Sequence, residues 1–189
     1  MDICGESNCY WPCIEHSSQL PFISPEQEKA FLHETSGSNA LDFRQACAVE
    51  SLASNNRNLT VYVLMSSENV DWDAKTMQSL KKFNNVNIYS INLGYYFLQT
   101  PLEHWYFCTT WNYGPYAVSH LSDALRFLTL YKFGGYYFDL DILMRQSVSA
   151  YHNFIGAEDE SSLAAGAFHV DYRHPVIRTA VKEFHTTYT

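Results

Sequence analysis

No apolar run in the chain approaches the ~18 residues that a membrane-crossing helix requires, so no such span is expected. Met1 is not followed by the charged-then-apolar pattern of a secretory leader, so no targeting segment is expected either. Basic clusters are also lacking. Twelve Lys and Arg stand against twenty Asp and Glu, a formal net charge of −8, which excludes the electrostatic footprint of a nucleic-acid surface. Neither an internal repeat nor a low-complexity linker interrupts the chain, which leaves out solenoids and tethered modules. Cysteine is sparse, at five, and the odd count means that one thiol is free or pairs outside the chain.

What is present is apolar and aromatic. With 189 residues, 47% of them hydrophobic and only 17% charged, the composition fits one globular domain with a sizeable core. Its 14 Tyr and 12 Phe suit a carbohydrate-handling protein or simply a well-packed one, and packing is the commoner use of most of them.

The chain is organised around residues 119–141. Val118, Leu121, Leu125 and Leu128 recur at helical spacing, Pro115 lies near the start, and Gly134-Gly135 supplies a stop. Asp123 and Arg126, three apart, share another face of that helix, where an ordinary ion pair is the plain expectation. Tyr136-Tyr137-Phe138 then reads as a buried strand that ends in Asp139-Leu140-Asp141. In an extended segment Asp139 and Asp141 point the same way while Leu140 faces the opposite side. Two carboxylates so placed repel each other unless a cation lies between them. Mg²⁺ or Mn²⁺ takes one or two protein carboxylates with water and substrate phosphates, so the pair suits a nucleoside diphosphate. An isolated Asp-x-Asp is more often a solvated strand end; here it closes a hydrophobic strand behind a glycine pair and a helix carrying Asp123 and Arg126.

Strands and helices alternate through residues 29–189, after an amino-terminal segment of residues 1–28. Strands are expected at Ala30–Glu34, Leu59–Met65, Val86–Leu93, Asn153–Ala157 and Ala164–Val170. Helices are expected through Phe43, Ala46, Val49 and Ala53, over Trp72–Phe83, from the capping box Thr100-Pro101-Leu102-Glu103, and over Pro175–Tyr188. This alternation predicts an α/β fold with a largely parallel sheet flanked by helices. The turn Thr35-Ser36-Gly37-Ser38 follows the first strand and is a candidate nucleotide-contacting edge or an ordinary tight turn. Trp105 and Trp111 are expected in the core rather than as sugar platforms, and Cys47 is expected as a small buried residue of an apolar helix face. Cys4, Cys9 and Cys13 suggest a disulfide-stapled loop or, with His16, a metal knuckle, and disulfide pairing is the expected choice. Asn58-Leu59-Thr60 is a glycosylation sequon.

The runs Ser122-Asp123-Ala124-Leu125-Arg126, Lys132-Phe133-Gly134-Gly135-Tyr136-Tyr137 and Asp139-Leu140-Asp141 resemble the DXD-containing sugar-binding region of the α1,4-glycosyltransferases, Golgi galactosyl- and N-acetylglucosaminyltransferases. Phe31-Leu32-His33-Glu34-Thr35-Ser36-Gly37, Arg44 to Ser51, Thr100-Pro101-Leu102 and Gly166-Ala167-Phe168 agree with it. The resemblance implies a GT-A type Rossmann-like domain and a retaining, metal-dependent transfer of a hexose or N-acetylhexosamine. The donor would be a UDP-sugar, UDP-galactose or UDP-N-acetylhexosamine, the acceptor a glycolipid or glycan, and the linkage α1,4. It implies that Asp139 and Asp141 hold Mn²⁺ or Mg²⁺ on the diphosphate, that Asp123 contacts nucleoside or sugar hydroxyls, and that Arg126 hydrogen-bonds sugar or phosphate. No catalytic nucleophile is named. Family members are type II membrane proteins of roughly twice this length, so the resemblance implies a Golgi location, an anchor outside these residues, and a later part of the domain that these residues do not include.

Two other readings fit part of the pattern. A catalytically incompetent, metal-dependent binder of UDP-sugars would share the donor residues. A haloacid dehalogenase-like phosphatase also ends a strand in Asp-x-Asp, but near the start of its domain, whereas this pair lies past mid-chain.

Overall fold

The computed structural model describes residues 20–187. Cys4, Cys9, Cys13 and His16 lie outside them. Six strands form one sheet in the order β3-β2-β1-β4-β6-β5. β1 (Lys29–Glu34), β2 (Thr60–Met65), β3 (Val86–Ser90) and β4 (Gly135–Phe138) run parallel. β6 (Leu163–Val170) runs antiparallel beside β4, and β5 (Phe154–Ala157) pairs antiparallel with β6 at the edge. The expected α/β architecture is therefore present, with its parallel part in the centre.

Alternation along the central strands feeds two cores. Ala30, Leu32, Tyr136 and Phe138 join a layer beneath α1 (Phe43–Asn55) and α2 (Lys75–Leu80). Phe31 and Tyr137, one step out of phase, join the layer beneath α5 (Ala117–Phe133) and α6 (Pro175–Thr187). A strand buried on both faces reads as continuous apolar sequence, which is why β2 and β4 show no polar alternation. α6 buries Ile177, Val181 and Phe184 as its periodicity predicts. Trp105, within α4 (Glu103–Cys108), is fully buried, as expected of a core residue, and Trp111, only partly buried, stacks on it at 5.2 Å.

α5 ends where the glycines require. Gly134 adopts φ 64°, ψ −172°, a region open essentially to glycine alone, and caps the helix by donating to Leu130 O at 2.8 Å. A Cβ there would lie 2.5 Å from the Tyr172 backbone nitrogen, and one on Gly135 would lie 2.6 Å from Lys29 O. The pair thus lets the chain turn from helix to strand while touching two neighbouring backbones.

Several expectations are corrected. Cys47 is exposed: α1 turns Ala46, Ala48, Val49, Leu52 and Ala53 inward, and Cys47 falls between them. Phe43 and Val118, expected on apolar stripes, are 75% and 49% exposed. The helix expected over Trp72–Phe83 shrinks to α2. The third strand stops at Ser90, because Asn92 Oδ1 accepts from Tyr95 N at 2.9 Å and starts α3 (Leu93–Phe97). Thr100 and Glu103 brace the turn before α4 rather than forming a reciprocal box. Thr100 Oγ1 donates to Phe97 O at 2.6 Å, and the Glu103 carboxylate accepts from Gln99 N at 2.5 Å.

Candidate donor site

The chain leaves β1 for β2 on one side and, after β3, crosses back to β4 on the other, so the strand order reverses between β1 and β4. Open parallel sheets bind ligands beyond the carboxyl ends of strands at such a switch point. A cleft of about 540 Å³ opens there, with Glu34, Ser36, Asp123, Arg126, Asp139 and Asp141 among its walls. The structure therefore brings together all four residues that the sequence singled out for the donor.

Their local geometry differs from the expected one. β4 ends at Phe138, and Asp139 to Ile142 form a turn closed by Ile142 N donating to Asp139 O at 3.1 Å. Asp139 and Asp141 are thus neighbours on a turn, not alternate residues of one strand face, and Asp141 is exposed. Asp139 is fastened from two sides. Its backbone N–H donates to Gly166 O at 2.8 Å, tying it to β6. Its Oδ1 accepts the Tyr137 hydroxyl at 2.7 Å and lies 3.4 Å from Arg126 Nη2. Oδ2 packs against Gly166, where a Cβ would lie 2.8 Å away.

Arg126 is an organiser of this wall. Nη2 reaches Asp123 Oδ1 at 3.2 Å and donates to Ser122 Oγ at 3.0 Å, while Nη1 donates to Ala165 O at 3.0 Å. Its guanidinium lies 5.1 Å from the centre of the Tyr137 ring. The expected ion pair with Asp123 is present, and it extends to Asp139.

Electrostatics favour a cation. Burial, above all, raises the pKa of Asp139, with Arg126 and the Tyr137 hydroxyl opposing the shift and the Asp141 and Asp123 charges adding to it. The carboxylate is therefore held at an electrostatic cost that a divalent ion held by Asp139 and Asp141 would relieve. Hard oxygen donors with one open side fit Mn²⁺ or Mg²⁺. A second group, His152, His169 and Asp171, also places possible ligand atoms within 4.8 Å of one another, at the other end of β4. Asn153 ties two of its members together: His169 Nδ1 accepts Asn153 N–H at 3.0 Å, and Asp171 Oδ2 accepts Asn153 Nδ2 at 2.6 Å.

Sequence reasoning missed the supporting residues. Tyr137 was legible only as a strand aromatic, although its alternation opposite Tyr136 and Phe138 aims it at the Arg126 face. Gly166 lies far along the chain, and only the β4–β6 pairing brings it to Asp139. Glu34 was visible as an acid at a strand end without a role.

Residues 42–162 match the family described as the glycosyltransferase sugar-binding region containing the DXD motif. The chain is 30% identical over 178 residues to the lactosylceramide 4-alpha-galactosyltransferase of Rattus norvegicus, covering 92% of this chain and 49% of that protein. Against the Homo sapiens protein of the same name it is 29% identical over 168 residues, covering 87% and 48%. The chain thus spans about half the length of these curated relatives. Among solved structures, the PaToxG glycosyltransferase superposes with a TM-score of 0.60 at 18% identity, over 86% of this chain and 60% of that one, a likeness of fold. These matches bear out the resemblance drawn from the central block and give no support to the phosphatase reading. With its Asp pair at the switch point of a GT-A-like sheet, the chain belongs to the glycosyltransferase family whose sugar-binding region contains the DXD motif.

Proposed function

We propose that this chain forms the donor half of a retaining glycosyltransferase that moves a hexose or N-acetylhexosamine from a UDP-sugar to a glycolipid or glycan in α1,4 linkage. The observation that carries this reading is the fastening of Asp139: one carboxylate oxygen is taken by Tyr137 and Arg126, which leaves Oδ2 for the donor's ion. Asp139 and Asp141 would hold Mn²⁺ or Mg²⁺, which when bound offsets the charge that develops on the departing diphosphate. The residues themselves position and orient. Arg126 keeps Asp139 aimed at the cleft and presents its edge to the sugar or phosphate, and Asp123, anchored to Arg126, offers its carboxylate to nucleoside or sugar hydroxyls. Galactose as the donor sugar and a glycolipid as acceptor follow from the names of the relatives. The same kinship supports a Golgi lumenal site of action, with membrane attachment supplied outside the described residues, among which no helix is long and apolar enough to cross a membrane. Asn58, exposed in the turn before β2, is sterically open to the glycosylation that its sequon allows in such a compartment.

The test is release of UDP from UDP-galactose, UDP-N-acetylgalactosamine and UDP-N-acetylglucosamine, with Mn²⁺, Mg²⁺ or chelator. Metal-dependent turnover of one of them, lost in Asp139→Asn, is expected. Turnover that chelation leaves unchanged would refute the metal role.

A further inference from the structure

A cavity of about 450 Å³ has no part in sugar transfer. Its walls are Tyr131, Lys132, Tyr172, Arg173 and Arg178, none of them acidic. Lys132 lies in the last turn of α5, Arg173 follows β6, and Arg178 stands in the first turn of α6. Val170, the last residue of β6, pairs with Gly135, the first of β4, so the cavity lies at the end of the sheet remote from Asp139. Three of the chain's twelve Lys and Arg thus converge on one cavity, in a chain of net charge −8. None of the three forms an ion pair among the described residues. The Arg173 guanidinium lies 4.9 Å from the centre of the Tyr172 ring, and Lys132 Nζ donates to Tyr96 O. Burial lowers the Lys132 pKa to about 8, with no carboxylate opposing the shift.

The backbone holds these cations together. Gly134, which ends α5, sits so close to the next loop that a Cβ on it would lie 2.5 Å from the Tyr172 backbone nitrogen, which fixes Lys132 relative to Arg173. Arg173 adopts φ 65°, a left-handed conformation that is costly for a residue with a Cβ. Such strain gathers where a ligand is clamped. Like charges without a counter-charge repel each other, and an anion between them relieves the repulsion.

The chemistry narrows the anion. The volume lies in the range of about 300–1,000 Å³ typical of small-molecule pockets, more than a bare ion needs. A carboxylate brings one charge, whereas a phosphomonoester brings about −1.5 to −2 at pH 7 and three acceptor oxygens, a closer match to three cations. Arginine forks meet phosphate oxygens in pairs, lysine meets them as a point charge, and tyrosine hydroxyls add donors. We propose that this cavity binds a phosphomonoester group, carried by a soluble metabolite or by a lipid headgroup, through Arg173, Arg178 and Lys132. The site is separate from the donor cleft and does not depend on it.

The experiment titrates glycerol 3-phosphate calorimetrically into the chain and into the double variant Arg173→Gly, Arg178→Gln. In parallel it measures cosedimentation of both proteins with phosphatidylcholine vesicles, with and without phosphatidic acid, whose headgroup is the same phosphomonoester. Glycine suits the backbone at position 173 and both arginines are exposed, so the variant is expected to fold. Glycerol 3-phosphate should bind the chain and bind the variant about 10- to 100-fold more weakly, as the loss of charge-assisted hydrogen bonds requires, while UDP with Mn²⁺ binds both proteins alike. Tighter capture by phosphatidic acid vesicles, lost in the variant, would assign the group to a lipid; capture no better than by phosphatidylcholine alone would assign it to a soluble metabolite. No binding of glycerol 3-phosphate, or equal binding by both proteins, would overturn the site, whatever the vesicles do. If the variant loses UDP and glycerol 3-phosphate together, the two share the donor cleft and the separate site fails. Should the double variant melt below the assay temperature, Arg178→Gln alone carries the same comparison.

Discussion

Gly166→Ala isolates the oxygen on which the cation site depends. The residue has no positive φ, so alanine fits its backbone, and the whole effect comes from one methyl. That methyl would stand 2.8 Å from Asp139 Oδ2 and 3.7 Å from Ile142 Cδ1. Ordinary contact begins at 3.4 Å, so the carboxylate must retreat by 0.6 Å, the difference between 3.4 and 2.8. It has little room to do so. Its Oδ1 is held by the Tyr137 hydroxyl at 2.7 Å and by Arg126 at 3.4 Å, and its backbone N–H is held by Gly166 itself. Retreat therefore strains or breaks a charge-assisted hydrogen bond, worth about 1.5–3 kcal/mol. Displacing a ligating carboxylate or its supports costs about 10- to 100-fold in metal affinity. Gly166→Ala should thus retain its far-UV spectrum, unfold at slightly lower urea concentration, and bind Mn²⁺ with UDP about 10- to 100-fold more weakly. Unchanged affinity in the folded variant would show that Oδ2 does not face the ion.

Other consequences follow from burial. Because desolvation raises the pKa of Asp139, the ionised carboxylate opposes folding at neutral pH, and that penalty appears as pH rises above the unfolded value of 3.8. Asp139→Asn, which keeps an oxygen for Tyr137 and Arg126, should therefore raise the metal-free melting temperature at pH 7 while abolishing the Mn²⁺-induced shift. A variant that melts lower without metal would contradict the sign. His33 hydrogen-bonds Thr129 Oγ1 at 3.1 Å, and burial, with the Arg126 charge adding to it, depresses its pKa from 6.5 to about 3. The unfolded chain thus takes up a proton that the folded chain refuses, so stability present above 6.5 is lost as pH falls toward 3. At about 1.4 kcal/mol per pH unit the loss is about 2 kcal/mol by pH 5. His169, depressed to about 4 mainly by burial, adds a loss of the same sign. Urea midpoints between pH 7 and 5 measure this, and His33→Gln should flatten the slope.

The central architecture was readable because each cue had a single physical meaning. Gly134-Gly135 admits only a helix stop beside close neighbours, and the apolar runs of β2 and β4 admit only strands buried on both faces. The Asp pair was readable as chemistry but not as geometry. That Asp139 leaves the strand for a turn depends on the Ile142 N–H, just past the motif, and on the Gly166 carbonyl, which lies far along the chain. Short apolar helices such as α3 failed for a related reason, since Leu93 to Phe97 looks the same in either state and the cap at Asn92 decides it. Cys47 and Phe43 show the limit of reading a stripe from composition: with small residues on both sides of a helix, tertiary contacts choose which face is buried.

The most direct test of the donor site is calorimetric titration of UDP, with and without Mn²⁺, into the chain and into the double variant Asp139→Asn, Asp141→Asn. The geometry predicts manganese-dependent binding of UDP that the double variant abolishes while keeping its fold. Equal binding by both proteins, or UDP binding indifferent to manganese, would contradict the assignment of Asp139 and Asp141 to the ion.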